Sequence, residues 1–146
     1  MAYPAPVVGL VIRYAYLWRQ DFLDGHDEGA KDRPCAIILA LKRAEDEQHV
    51  TVLPVTHTPP TNRDDALEIP AETKRRLGLD AQPSWIVLTE ANDFIWPGPD
   101  LRPKTISGDA TDIAYGPLPR TLFEQMRDRF VAKLEARRAK LVARKT

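Results

Sequence analysis

The sequence predicts a small α+β domain that is mainly β, built as an antiparallel barrel and closed by a C-terminal amphipathic helix. Three observations predict this class. The 146-residue chain has the length of one domain, and five or six short apolar runs are separated by turn residues. Apolar residues recur at helical spacing near the C-terminus. A barrel is favoured over an open sheet because closure removes unpaired strand edges.

The first half of the chain predicts a strand followed by a hairpin. Residues 7–18, VVGLVIRYAYLW, favour a long strand with Arg13 as its one charge, and the polar residues after it predict an exposed, mobile loop. The apolar runs 35–41 and 50–55 flank a charged turn, as in an antiparallel hairpin. Because Pro54 lacks an N–H, it predicts a strand end or an edge position.

The second half predicts short strands and two helices. A strand is expected at 66–69, before a helix of about two turns that Pro70 begins and Gly78 ends. Residues 84–96, SWIVLTEANDFIW, predict two strands with an irregular break at 90–93, and a last short strand is expected around 113–115. From residue 120, one apolar stripe at spacings of three and four predicts the closing helix: Leu122, Phe123, Met126, Phe130, Val131 and Leu134.

Composition and charge exclude several classes of protein. No apolar run could span a bilayer and no signal pattern is present, so a cytoplasmic protein without membrane association is expected. The single cysteine, Cys35, cannot form an internal disulfide. Three histidines without CxxC or HExxH argue against zinc, and no metal or cofactor is expected.

The basic charge is unevenly distributed. Lys+Arg and Asp+Glu both number 21, yet residues 120–146 hold 9 basic and 3 acidic side chains, a net charge of +6. Good helix formers with little apolar face follow Leu134. The chain is therefore predicted to be a single domain, 1–146, that ends in an exposed helical basic extension at about 135–146.

Two segments suggest a phosphate site. Arg33 lies where a loop meets a strand and Pro34 fixes the backbone, so its guanidinium could hold a phosphate oxygen. A surface ion pair with Asp32 is the alternative. Thr56 and His57 end another strand, where the hydroxyl could donate to phosphate and the imidazole could exchange protons. In the alternative, Thr56 bonds backbone amides and His57 is solvated.

A third segment, TEANDFIW, is polar where a buried strand is expected. Glu90 could act as a base, or the segment could be a turn capped by Asn92. Trp96, with Trp85 and Phe94, could stack on bases. Alternatively, these aromatic rings pack in the core.

These segments together resemble the MazF/PemK family of toxins from bacterial toxin–antitoxin pairs. GLVIRYAYLW resembles the opening strand of that family, and DRPCAIIL resembles its [GH]-x-R-P-[AV]-[VL]-[VI] signature through Arg33, Pro34 and Ile37. VTVLPVTHT resembles the strand that ends in P-[ILV]-[TS]-[TS], with His57 at the last position, and AYGPLPRTLFEQMRDRF resembles the last strand, turn and helix. The resemblance runs through most of the chain.

The resemblance implies an SH3-like barrel, usually a homodimer, that acts as a growth inhibitor by cleaving single-stranded RNA without a metal. A cognate antitoxin protein would be the partner. Arg33 and Thr56 fall on the family's catalytic arginine and threonine. His57 falls where many members carry Ser or Thr, and Glu90 falls near an aspartate of some members, so these two compete as the base. The RNA contacts expected beside them are Arg13, Lys31, Thr58, Asn92 and Trp96.

Two other functions remain open from the sequence. A catalytically inactive barrel could bind RNA or a protein through the basic residues 120–144. The stretch LEIPAETKRRLGLD resembles AbrB-type DNA-binding domains over about a tenth of the chain, although a strand, a Pro-started helix and a Gly stop give the same letters. A DNA-binding regulator is therefore the minor alternative.

Overall fold

The computed structural model describes residues 2–29, 31–106 and 108–144. Three α-helices lie in these ranges: α1 (Arg19–Leu23), α2 (Ala71–Leu77) and α3 (Arg120–Glu135). The strands are β1 (Leu10–Tyr14), β2 (Arg33–Lys42), β3 (Gln48–Thr56), β4 (Ala66–Glu68), β5 (Trp85–Val87), β6 (Glu90–Trp96), β7 (Ala114–Pro117) and β8 (Lys140–Ala143).

The sheet is antiparallel except for β8, which pairs parallel to β6. Its main path runs β4-β5-β3-β2-β1-β7, and β6 pairs with β3 beside it. The predicted α+β, mainly β class is confirmed. In the described pairings the sheet stays open, because β4 and β7 lie at the two ends of the path and are not paired with each other.

The hairpin of β2 and β3 is confirmed and is longer than predicted, with Cys35 opposite Pro54 in its register. Pro54 lies inside β3 rather than at its end. On its other side β3 changes partner, from β6 along Gln48–Val52 to β5 along Val55–Thr56. Pro54 lies between these two sets of strand pairings, so its missing N–H removes no hydrogen bond to β5 or β6.

Two apolar clusters hold the sheet. Successive side chains of β1 and β3 point to opposite faces of the sheet. Val11 and Leu53 therefore lie on one face, and Ile12 and Val52 lie on the other. The first face packs under α3. The second face forms a cluster with stacked aromatic rings, since Tyr14 and Phe94 have centroids 4.6 Å apart.

Two elements near the N-terminus differ from the prediction. β1 is shorter than the predicted strand at 7–18, and α1 begins a segment that the sequence indicated as loop. α2 agrees with the prediction: it follows Pro70 and ends at Gly78, which adopts φ +72°. That left-handed conformation suits glycine, which has no Cβ to clash.

The predicted irregular break at residues 90–93 is wrong. Those residues begin β6, and the interruption falls instead at residues 88–89. The sequence misled because Asn92 is polar yet completely buried. Its side-chain amide accepts from Leu17 N at 2.9 Å and donates to Leu17 O at 2.8 Å, which replaces the hydrogen bonds it would make with water.

The apolar stripe of α3 is confirmed in part. Leu122, Met126 and Phe130 are buried, whereas Val131 and Leu134 are 43% and 37% exposed. Lys133 takes the next inward position, and its ammonium reaches Asp65 at 2.7 Å. Its aliphatic stem packs inward while its charge is paired at the edge.

The predicted helical extension at 135–146 is wrong over its described part. The helix ends at Glu135, Arg137 takes φ +58°, and residues 140–143 form β8. Val142 is 1% exposed and Arg144 is 8% exposed. The segment pairs with the edge of β6, so its alternating side chains rather than a helical face decide its structure. Lys145 and Thr146 lie outside the described residues.

Candidate functional site

A cleft of about 270 Å³ opens where β2 begins and β3 ends. In the antiparallel register of the hairpin, these two ends lie together. The cleft brings together three of the predicted catalytic residues, Arg33, Thr56 and His57. Two of the predicted RNA contacts join them, Arg13 and Lys31. Other parts of its wall are formed by Asp32, Pro34, Val55, Lys74, Gly78, Leu79, Asp80, Ser84 and Tyr115.

Arg33 is held from two sides. Its Nη1 donates to Val55 O at 3.2 Å, and its guanidinium carbon lies 4.9 Å from the centre of the Trp18 ring. Among the described residues this hydrogen bond occupies one of five N–H donors. Burial lowers the pKa of the Arg33 guanidinium, although arginine stays charged in proteins. A fixed, half-buried cation with free donors can bind an oxyanion.

Thr56 combines the two roles that the sequence left open. Its hydroxyl oxygen accepts from the backbone N–H of Thr58 at 3.1 Å, which fixes the turn after β3. A hydroxyl also carries one donor of its own, and that donor remains for a ligand in the cleft. Thr58 contributes this backbone contact and does not line the cleft.

His57 is paired rather than merely solvated. Its Nε2 lies 2.8 Å from Asp80 Oδ2, and both side chains are about half exposed. When Nε2 carries the proton and donates it to this carboxylate, Nδ1 is left as a proton acceptor. An imidazole held in this way by a carboxylate has the arrangement of a general base.

Asp80 is itself held by a buried lysine. Lys74 is 4% exposed, and its Nζ donates to Asp80 Oδ1 at 2.7 Å, to Ser84 Oγ at 2.6 Å and to Gln82 O. The hydrogen bond from Lys74, followed by that of His57, lowers the pKa of the Asp80 carboxyl. The three donors of Lys74 are thereby used, so this ammonium positions Asp80 and leaves anion binding to the arginines.

Sequence reasoning missed Lys74, Asp80 and Ser84. They come from α2 and the turn after it, the segment whose sequence resembles AbrB-type DNA-binding domains. The one sequence feature that could have indicated this group is Asp80, which follows two residues after Gly78, the glycine that ends α2. Nothing in the local pattern indicates that this turn meets the end of β3.

Arg13 and Lys31 add positive charge to one side of the cleft. Arg13 is partly compensated, because its Nη2 lies 3.8 Å from Asp32, which Arg102 also approaches at 3.5 Å. The predicted surface pair of Arg33 with Asp32 is therefore taken by other arginines. The cleft wall carries four basic side chains and two acidic ones, which favours an anionic ligand.

Glu90 does not line this cleft. Its Oε1 accepts from Tyr16 OH at 3.1 Å and from Arg19 N at 2.8 Å. Burial raises the pKa of the Glu90 carboxyl, and those two hydrogen bonds offset part of the rise. The carboxylate ties the start of α1 to β6, so of the two candidate bases His57 alone lies beside Arg33.

We expect Glu90→Gln to leave the cleft intact and to alter the pH dependence of stability. The folded state holds the Glu90 proton more tightly than the unfolded chain, so the free energy of unfolding falls as pH rises through the folded pKa. Glutamine has no ionisable carboxyl, so the free energy of unfolding of the variant does not fall for this reason as pH rises. Thermal unfolding between pH 4 and pH 8 should show the variant gaining Tm relative to wild type as pH rises. A gain that instead appears on acidification would contradict the burial argument.

Asn92, an expected RNA contact, is completely buried, and both polar atoms of its side-chain amide are hydrogen-bonded inside the protein. Trp96 also lies away from the cleft. Its ring packs 6.1 Å from that of Phe94 against the second cluster, as the core alternative proposed. Both residues support the fold that carries the cleft.

The C-terminal basic residues are largely committed to contacts of their own. Lys133 pairs with Asp65, Arg129 donates to Arg63 O and Ala66 O, and Arg144 pairs with Asp100 inside the protein. These three side chains are therefore not free to form part of one basic face. Nothing in these contacts favours the alternative of a binding module that uses residues 120–144.

Comparison of the chain with protein-family models, with curated proteins and with solved structures finds no match. Within the described ranges, no helix is both long and apolar enough to cross a bilayer. In the same ranges, no three His, Cys, Asp or Glu side chains are grouped so that they could hold a metal ion. The geometry of the cleft therefore carries the functional argument.

Proposed function

We propose that this protein is a toxin-type endoribonuclease of the MazF/PemK kind, which cleaves single-stranded RNA without a metal ion. The observation that carries the proposal is one cleft that holds the Arg33 guanidinium, the Thr56 hydroxyl and the His57–Asp80 pair. Cleavage of this type uses the 2′-OH of the RNA as nucleophile, so the enzyme supplies a base and charge stabilisation.

The roles follow from the contacts of each side chain. His57 Nδ1 takes the proton of the 2′-OH, while Asp80 holds the opposite nitrogen. The 2′-oxygen bonds to phosphorus and the bond from phosphorus to the 5′-oxygen breaks, leaving a cyclic phosphate and a 5′-hydroxyl. Arg33 and Thr56 hold the phosphate oxygens as negative charge develops. The departing 5′-oxygen takes its proton from water in the open cleft.

The proposal includes the wider properties that the resemblance implies. The open sheet with α3 packed on one face would be a divergent form of the SH3-like barrel. A homodimer in the cytoplasm and a cognate antitoxin are proposed with it. The positive balance of the cleft suits an acidic antitoxin segment that competes with RNA for the same groups.

The test is cleavage of a long single-stranded RNA in EDTA by the purified protein. We expect products that end in a cyclic phosphate, no cleavage where the nucleotide 5′ to the cut is 2′-deoxy, and a rate about 10²-fold lower for His57→Asn. Arg76→Ala, an exposed change on α2, is the matched control. An RNA that all preparations leave intact, or that His57→Asn cleaves as fast as wild type, would refute the proposal.

A further inference from the structure

A second cavity, of about 360 Å³, adjoins the cleft. Its volume lies near the lower end of the range of about 300–1,000 Å³ that small-molecule sites occupy. Lys74, Leu79 and Asp80 line both cavities. The two cavities therefore lie on either side of the turn that follows α2, within the reach of one bound nucleotide chain.

Hydrogen bonds within the chain hold this turn. The buried Lys74 ammonium holds Asp80, Gln82 O and Ser84, and Gln82 N donates to Asp80 Oδ1 at 3.1 Å. A wall fixed in this way needs no reordering when a ligand enters, which lowers the entropic cost of binding.

The lining suits a flat ring with a polar edge. Leu79 and Pro83 provide apolar surface, on which an unstacked base can lie. Glu68, at the end of β4, contributes a carboxylate. Among the described residues this carboxylate has no ion-pair or hydrogen-bond partner, and Arg75, which also lines the cavity, pairs with Glu72 instead, so the Glu68 oxygens remain available as acceptors.

We propose that this cavity receives a nucleobase next to the scissile phosphate and that Glu68 selects a base with an amino group over uracil. The inference rests on the proposed ribonuclease function. A carboxylate accepts from the amino groups of cytosine, adenine or guanine. Uracil instead presents two carbonyl oxygens around a single N–H, and these repel the carboxylate. Discrimination of about tenfold is expected from one such contact.

The cleavage test uses a random-sequence RNA pool with wild type, Glu68→Gln and Glu135→Gln, an exposed control of the same charge change. Cut sites are read by sequencing in EDTA. We expect uridine to be depleted about tenfold at one position beside the cut for wild type and the control, and the depletion to disappear for Glu68→Gln. Uridine at that position in wild type, or depletion that survives in Glu68→Gln, would overturn the proposal.

A binding test separates this proposal from the ribonuclease function. Cytidine and uridine 3′-monophosphates, which are equal in size and cannot be cleaved, are titrated into the ¹⁵N-labelled protein and its Glu68→Gln variant. Preference of wild type for the cytidine compound, absent in the variant, supports the base site even if no RNA is cut. Equal affinities for wild type overturn it whatever the outcome of the cleavage test.

Discussion

Arg33→Ala is expected to lower the single-turnover rate of RNA cleavage by about 10²–10³-fold, the range for loss of one group that stabilises transition-state charge. The guanidinium is fixed by Val55 O and the Trp18 ring, so it meets the phosphate without reorganising. Binding of intact RNA should weaken less, because Arg13 and Lys31 remain in the cleft. Rate and affinity are measured separately, by cleavage under enzyme excess and by anisotropy with a 2′-deoxy analogue.

Arg33→Lys distinguishes charge from geometry. Lysine keeps the positive charge but loses the planar fork that binds two oxygens, so its rate should fall between those of wild type and Arg33→Ala. Circular dichroism melts of each variant establish that the fold is retained. An Arg33→Ala protein that is folded and cleaves within twofold of wild type would contradict the assigned role.

Arg144→Met is expected to lower the free energy of unfolding by about 3–5 kcal/mol, as when one partner of a buried ion pair is removed. The Arg144 side chain is 2% exposed, and its Nη2 lies 3.1 Å from Asp100. Its Nη1 donates to Ala15 O at 2.8 Å and to Asn92 Oδ1 at 3.1 Å. The substitution removes the guanidinium donors of Ala15 O and of the Asp100 carboxylate, while Asn92 Oδ1 keeps only Leu17 N. Urea unfolding measures the loss.

The matched control is Arg138→Met, an exposed arginine in the turn between α3 and β8. Surface substitutions of this kind usually change stability by less than about 0.5 kcal/mol. Since neither arginine lines the cleft, cleavage well below the unfolding midpoint should be normal for both variants. Equal urea midpoints for the two variants would show that the buried pair contributes no net stability.

That Arg33 and Thr56 lie close together could be predicted from the sequence, because the register of a hairpin is set by residues that are near one another in the chain. Two apolar runs joined by a short charged turn fix which ends meet. The choice between His57 and Glu90 could not be made, since it depends on which side chains Asp80 and Tyr16 reach across the fold.

The structure of the C-terminal residues, 135–144, could not be predicted from the sequence. Residues 135–144 are good helix formers, so local propensity predicts a helix there. In the structure, residues 140–143 pair instead with an open edge of β6. The sequence does not distinguish Arg144 from the exposed basic residues near it, because its partner Asp100 is 44 positions away in the sequence. Glu68 likewise has no local sequence signal, because the cavity that it lines forms only where β4 and α2 come together.

The pairing of β8 with β6 also affects how the protein acquires its structure during synthesis. Every residue that lines the cleft lies between positions 13 and 115, so the ribosome releases all of them before residue 144 emerges. Until then Asn92 lacks its arginine donor and one edge of β6 is bare, a surface that invites pairing with another chain. In that interval the nascent chain already holds every residue of the cleft while its sheet edge is still prone to aggregation.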